Sequence, residues 1–189
     1  KYDRDEDYAK LKGLLGKPVD PADAINVFYM ALPPSVFLTV AESVKRVLYD
    51  PNVNNRVVIE KPFGRDSESS AELSDGLAPL FSESEVYRID HYLGKEMVKN
   101  LLVLRFANRF LESIWSREGI DTVQIVFKET LGVEDRGGYY DEFGVIRDVL
   151  QNHILQMLSL VAMEPPRSLS ADDIRDAKVA VLRDMRTLD

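Results

Sequence analysis

The chain has 189 residues, 45% hydrophobic and 9% aromatic, an ordinary make-up for a globular protein that buries a proper core. Its 24 basic and 32 acidic residues give a net charge of −8, which argues against a nucleic-acid or membrane partner, since both need a basic surface. The absence of cysteine excludes disulfides, thiolate nucleophiles and Cys-based metal sites and fits a reducing, cytoplasmic setting, and no apolar run approaches the roughly 18 to 20 residues of a membrane span.

The opening Lys1-Tyr2-Asp3-Arg4 has no methionine and reads as the middle of something. The close, Val181 to Arg186, stops inside a helical pattern, so a fragment is expected. Residues 5–16 look helical but lack a clean cap. Asn26 to Leu32 is a short continuous apolar run, the pattern of a strand buried on both faces, and Pro33-Pro34 ends it. Ser35 opens a helix to about Tyr49 with Val36, Val40, Val44 and Val47-Leu48 in one stripe, and Asp50-Pro51-Asn52 is a turn. Arg56 to Glu60 is a second short strand, stopped by Lys61-Pro62. Ser67 caps a helix to about Leu80, and Val86 to Ile89 is a third strand. Strands alternating with helices at this spacing predict βαβ units and a parallel sheet, hence an α/β fold.

After Gly94 the texture changes. Lys95 to Phe110 reads as a long helix, apolar on most of its circumference. Asp121 to Thr130 alternates, with Val123, Ile125, Phe127 and Glu129 on one face, the pattern of an antiparallel half-buried strand. Gly132 to Gly138 is a loop, and Phe143 to Met163 a strong helix with His153 on its apolar stripe. Glu164-Pro165-Pro166-Arg167 breaks it, and Ser170-Ala171-Asp172-Asp173 caps a last helix. The domain boundary is placed near Leu93-Gly94, dividing the chain into 1–93 and 94–189.

There are only two histidines, each in a charged word beside an aspartate: Arg88-Ile89-Asp90-His91-Tyr92-Leu93-Gly94-Lys95-Glu96 and Arg147-Asp148-Val149-Leu150-Gln151-Asn152-His153. Histidine is the side chain suited to moving protons near neutral pH. His91, Tyr92 and Lys95 beside a helix N-terminus make a ready phosphate site; a solvated loop with scattered charge is the plain alternative. His153 is equally the position of a core histidine satisfied by a hydrogen bond. On an ideal helix Asp148 lies roughly 140° from His153, so Asp90 is the better candidate to orient a histidine base. Glu129 points a carboxylate where a core should be, which demands a partner or water access. Lys61-Pro62 is a candidate cis peptide, because only X-Pro bonds take that form cheaply. No Gly-x-Gly-x-x-Gly occurs, so the phosphate-cradling turn of a dinucleotide fold is not in the chain.

Three words in order, Glu60-Lys61-Pro62-Phe63-Gly64-Arg65-Asp66, the nine residues from Arg88 to Glu96, and Arg136-Gly137-Gly138-Tyr139-Tyr140-Asp141-Glu142 running into Gln151-Asn152-His153, resemble the glucose 6-phosphate dehydrogenase family over about residues 25 to 185. The resemblance implies the later part of a Rossmann-like parallel sheet, in a partial dinucleotide-binding domain at 1–93. It implies a partial α+β substrate and dimerisation domain at 94–189, the start of a large antiparallel sheet. It implies oxidation of glucose 6-phosphate at C1 to the 6-phospho-lactone with hydride transfer to NADP (NAD not excluded), the first step of the pentose phosphate pathway, in a cytoplasmic homo-oligomer. By the resemblance His153 is the general base and Asp90 its orienting partner. His91, Tyr92 and Lys95 bind the phosphate, Glu129 and Asp148 the sugar hydroxyls, and Lys61 the reacting hydroxyl and the cofactor. Pro62, Leu32 and Pro33 line the cofactor side, and no metal is implied. Phe37 stands where family members often have tyrosine, so a hydroxyl contact to the cofactor there is in doubt. The 189 residues alone are expected not to turn over substrate. The rival reading is a non-catalytic sugar-phosphate-binding module; a different two-domain sugar oxidoreductase explains the Glu-Lys-Pro strand end but not the phosphate word.

Overall fold

The computed structural model describes residues 4–15, 24–130 and 132–186, which leaves Lys1, Tyr2, Asp3 and residue 16 of the expected first helix outside the described residues. The chain divides into two units, Lys1–Ile89 and Asp90–Asp189.

In the first unit the three apolar runs become strands β1 (Ile25–Met30), β2 (Asn54–Glu60) and β3 (Val86–Ile89), parallel and in the order β1-β2-β3. The register sets Phe28 beside Val57, Met30 beside Ile59, and Val57 beside Val86, so period-2 side chains form one continuous apolar face. Three helices accompany the sheet: α1 (Asp5–Leu14), which has no side-chain cap, α2 (Phe37–Ser43), which continues as a π-helical turn over Val44–Leu48, and α3 (Ser67–Leu77). Phe37, Ala41, Val57 and Ile59 are fully buried in the core between sheet and helices. Phe37 is therefore a core residue of this unit.

The expectation that β1 is buried on both faces is corrected by exposures of 61% at Ile25, 59% at Val27 and 54% at Tyr29. The topology explains it. Both crossovers step the same way across the sheet, and right-handed connections then put α2 and α3 on one face, leaving the other without helical cover among the described residues. The cap of α3 also moves by one residue. Asp66, not Ser67, accepts from Ser69 N at 2.9 Å while Ser69 Oγ accepts from Asp66 N at 3.1 Å, a reciprocal capping box. Just before it, Gly64 has φ +138°, and a Cβ there would lie 2.5 Å from Ser70 N, so only glycine fits the turn. The Lys61–Pro62 bond that follows β2 is cis.

The second unit is helical: α4 (Glu96–Phe106), α5 (Arg109–Glu112), α6 (Gly137–Val145), a π-helical stretch Ile146–Ile154, α7 (Leu155–Ala162) and α8 (Ala171–Asp184), the last capped by Ser170 accepting from Asp173 N. Its apolar cluster is small, centred on Val98, Leu160 and Met163. The long helix expected over 95–110 breaks at Asn108, whose side-chain amide donates to the Val103 and Leu104 carbonyls at 3.1 Å each. Nor is it buried all round, since Met97 is 84% and Phe110 71% exposed. The strand expected over 121–130 does not form: the segment has no pairing among the described residues. A strand exists only through a neighbour's ladder, which alternation alone cannot supply. The helix expected from Phe143 begins earlier, at Gly137, and is interrupted at Gly144, whose φ of 68° and ψ of 166° lie outside helical space.

Candidate active site

Within the second unit, the turn that begins at Asp90 and the π-helical stretch carry the two charged words. His153 is 2% exposed, and its Nδ1 lies 2.5 Å from Asp90 Oδ1. Asp90 Oδ1 also accepts from the Tyr92 backbone N–H at 2.9 Å, a local bond that fixes the carboxylate by the chain two residues on. With Asp90 ionised, Nδ1–H is the donor and Nε2 becomes the nitrogen able to take a proton from a ligand. The ring packs in a cluster of three mutually touching rings, with His91 and Tyr92 also 4.8 Å apart. Tyr92 stacks on it at 3.9 Å and 15°, and His91 meets it edge-on at 4.9 Å. Phe127, from the segment that does not pair, packs on the edge of Tyr92 at 5.3 Å.

Tyr92 is itself buried, and burial first, then the charges of Glu129, Asp148 and Asp90, raise its hydroxyl above the ordinary tyrosine range. A neutral phenol that keeps its proton is a donor. Lys95 stands at the N-cap position of α4 with no side-chain cap bond and holds Nζ 4.0 Å from the Tyr92 ring centre, so a cation, a phenol and the exposed His91 gather near His153 at a helix N-terminus.

Asp148 is 5% exposed, and both carboxylate oxygens are engaged: Arg136 Nη2 donates to Oδ2 at 3.0 Å and Tyr139 Oη to Oδ1 at 3.1 Å. Burial works against the Arg136 charge, but Asp148 outweighs it and holds the guanidinium above its ordinary value. The expected 140° between Asp148 and His153 assumed an α-helix. The stretch is π-helical, and with i→i+5 bonding five residues make roughly one turn, which lets both side chains be buried. Arg136 and Tyr139 as partners of Asp148 were not foreseen, though both lie in the quoted Arg-Gly-Gly-Tyr word.

Asp90, His91, Tyr92, Lys95, Asp148 and His153 are thus brought together in one unit. Glu129 is exposed rather than aimed into a core, and its charge reaches Tyr92. Lys61, Pro62, Leu32 and Pro33 belong to the first unit, where they directly follow β2 and β1 at the carboxyl edge of the parallel sheet. Asp90, His91 and His153 place ligand-type atoms within 4.8 Å of one another. Two ligands of a tetrahedral zinc are separated by roughly 3.3 Å, so the 2.5 Å between Asp90 and His153 is the spacing of a hydrogen bond. Among the described residues no helix is long and apolar enough to cross a membrane.

Comparison with known proteins bears on this geometry. Residues 1–100 match the glucose-6-phosphate dehydrogenase NAD binding domain and residues 102–189 the C-terminal domain of the same family. Glucose-6-phosphate 1-dehydrogenase of Emericella nidulans is 56% identical over 185 residues, covering 97% of this chain and 36% of the relative. The Saccharomyces cerevisiae enzyme of that name is 53% identical over 191 residues, covering 100% of this chain and 38% of its own length. The chain therefore spans little more than a third of the curated relatives it matches. A solved glucose-6-phosphate dehydrogenase in complex with its substrate glucose-6-phosphate superposes with a TM-score of 0.92 at 51% identity, over 100% of this chain and 40% of that one. Both family domains meet in a single sequence whose two charged words converge on one histidine, and the chain belongs to the glucose-6-phosphate dehydrogenase family.

Proposed function

We propose that the protein carrying this chain oxidises the C1 hydroxyl of glucose 6-phosphate to the 6-phospho-lactone, with NADP as hydride acceptor. The observation that carries the reading is the Asp90–His153 pair at 2.5 Å, its imidazole packed against both Tyr92 and His91. His153 Nε2 takes the hydroxyl proton as the hydride leaves C1, and Asp90 keeps the tautomer and offsets the imidazolium charge that results. His91, Tyr92 and Lys95 hold the phosphate: an ammonium, a neutral phenol and a helix N-terminus are the donor set for a dianion. Asp148 and Glu129 accept from sugar hydroxyls, and Arg136 and Tyr139 hold Asp148 in place to do so.

Residues 1–93 act as a partial dinucleotide-binding domain and 94–189 as a partial substrate and dimerisation domain. The first unit fits the cofactor as far as it goes. Loops after parallel strands open at the carboxyl edge, where such ligands bind, and they offer Leu32, Pro33, a cis Pro62 and the cation of Lys61. Bound there, NADP would supply the hydride acceptor, with Lys61 directed to the reacting hydroxyl. A cytoplasmic homo-oligomer completes the reading.

The test is made on the full-length protein. It should reduce NADP when given glucose 6-phosphate, and Lys95→Ala should weaken both binding and turnover of that sugar, because a remote phosphate contact also positions the reacting carbon. Free glucose, with no phosphate to lose, should be oxidised about as well by the variant as by the parent. No reduction by the parent, or equal damage toward both sugars, overturns the reading.

A further inference from the structure

The Gln-Asn-His word leaves Asn152 without a part in these roles. It is half-buried on the π-helical stretch, immediately before His153, and its side chain folds back along the helix. Nδ2 donates to the Asp148 carbonyl at 2.9 Å and to the Arg147 carbonyl at 3.3 Å, while Oδ1 accepts from the His153 backbone N–H at 2.6 Å. One amide therefore bridges the main chain of Asp148, assigned to a sugar hydroxyl, and of His153, assigned to the reacting proton.

The groups it joins are set by helix geometry. In a π-helix the carbonyl of residue i faces the N–H of residue i+5, and 148 and 153 are such a pair. In an α-helix the Asp148 carbonyl would answer the N–H of residue 152 instead, and the two side chains would diverge by roughly 140°. The wide turn is rare in proteins, so something local has to favour it. Asparagine is a poor helix former because its amide competes with the backbone for partners. At 152 that competition serves the wide turn, since the amide spans the five-residue step and bonds at both of its ends.

The neighbouring side chains act on a different part of the same two residues. Arg136 and Tyr139 fix the Asp148 carboxylate, and Asp90 fixes the imidazole. Those bonds set where each head group points. Asn152 sets the spacing of the main-chain positions that carry them.

Resting on the proposed reaction, we infer that Asn152 is a positioning residue: its amide holds the π-helical step that keeps the sugar-binding Asp148 and the base His153 about one turn apart. It touches neither substrate nor cofactor in this role and acts through the backbone of both.

The experiment uses the full-length protein, with the parent measured first. Asn152→Leu keeps the volume and removes donor and acceptor together. It should lower kcat roughly ten-fold and raise KM for glucose 6-phosphate about five-fold, because the base and a sugar contact are displaced at once. Asn152→Ser, whose hydroxyl can still donate to the carbonyl four residues back, should fall between Leu and the parent in both constants. It also takes over the test if the Leu variant does not fold. In an Asp148→Asn background the Leu change should raise KM no further, because the sugar contact it displaces is already lost, and should still lower kcat. Parent-like constants at any melting temperature, a loss confined to one of the two constants, or a KM rise that adds in full to Asp148→Asn overturns the inference. An inactive parent overturns the reading beneath it instead.

Discussion

The two units spend their buried positions differently. The first fills its interior with Phe37, Val40, Val44, Leu48, Val57, Ile59 and Leu77, and its fully buried polar residue Asn55 is satisfied close by, donating to the Asp50 and Val53 carbonyls at 2.8 and 2.9 Å. The second buries few apolar side chains but encloses His153, Asp148 and Arg105. Two of these are answered by other side chains, Asp90 for His153 and Arg136 with Tyr139 for Asp148, while Arg105 donates to the Leu160 carbonyl at 2.7 Å. Among the described residues it also leaves two buried atoms, Asp90 Oδ2 and Arg105 Nε, without a hydrogen bond. Local backbone satisfaction costs little and serves packing. A long-range polar pair with an atom left over stabilises poorly for what it buries, which is consistent with the catalytic role proposed for Asp90 and His153.

The sharpest way to break that contrast is to ask each unit for the other's currency. In the full-length protein, His153→Asn keeps size and some hydrogen bonding but removes the base, and turnover should fall on the order of 10² to 10⁴ with substrate affinity nearly unchanged. Rate and melting temperature of the same preparation read the two effects separately. Normal turnover with an earlier melt would make His153 a core histidine, and the contrast would collapse.

Phe37→Ala is the counterpart. The ring is fully buried in the first unit, and truncating it should cost about 3 to 5 kcal/mol through lost burial and a cavity. Hydrogen exchange at Val57 and Ile59, which face the same core, should lose protection. The single tryptophan, Trp115, donates to the Val161 carbonyl at 2.9 Å and reports the second unit by its fluorescence. Its signal in native buffer should stay that of the parent. A variant that kept its exchange protection would mean the first unit's packing is slack, and that its apolar interior is not what distinguishes it.

The same contrast explains what the sequence made legible. β2, β3 and the start of α8 rest on local rules, short apolar runs bounded by turn signals and a serine cap, and the structure follows them closely. The exposed face of β1 and the unpaired 121–130 segment fail because covering a strand and pairing it are decided by elements distant in sequence. The break at Gly144 and the π-helical stretch after it mean that an angle computed from 3.6 residues per turn does not apply to Asp148 and His153, although Asp90 is, as expected, the residue that bonds His153. At the site, residue chemistry was enough to find both histidines and Asp90. Arg136 reaching Asp148 was not legible, since long flexible side chains choose partners across loops and helices.

The smallest effect tests whether the first unit's electrostatics are as local as its packing. Glu85 is half-buried, and burial alone would raise its carboxyl. The Ser82 N–H at 2.8 Å, the Tyr49 hydroxyl at 2.9 Å and the Ser82 hydroxyl at 2.9 Å outweigh that and hold it below the ordinary glutamate value. A carboxyl depressed in the folded state contributes stability that is present above its unfolded value and is lost as pH falls through the folded one. Tyr49→Phe removes one donor while keeping the ring that packs on Phe81 and carries Lys45 Nζ 3.2 Å from its centre. The variant should therefore be about 1 kcal/mol less stable than the parent near neutral pH. Below about 4.5, the ordinary glutamate value, the gap should narrow as Glu85 takes up its proton and the charge-assisted bond weakens. Paired denaturant titrations across that range read the gap directly. If it stays constant into acid, the Tyr49 hydroxyl is not acting on the charge of Glu85; if there is no gap at any pH, the ring's packing beside Lys45 and Phe81 is the residue's whole contribution.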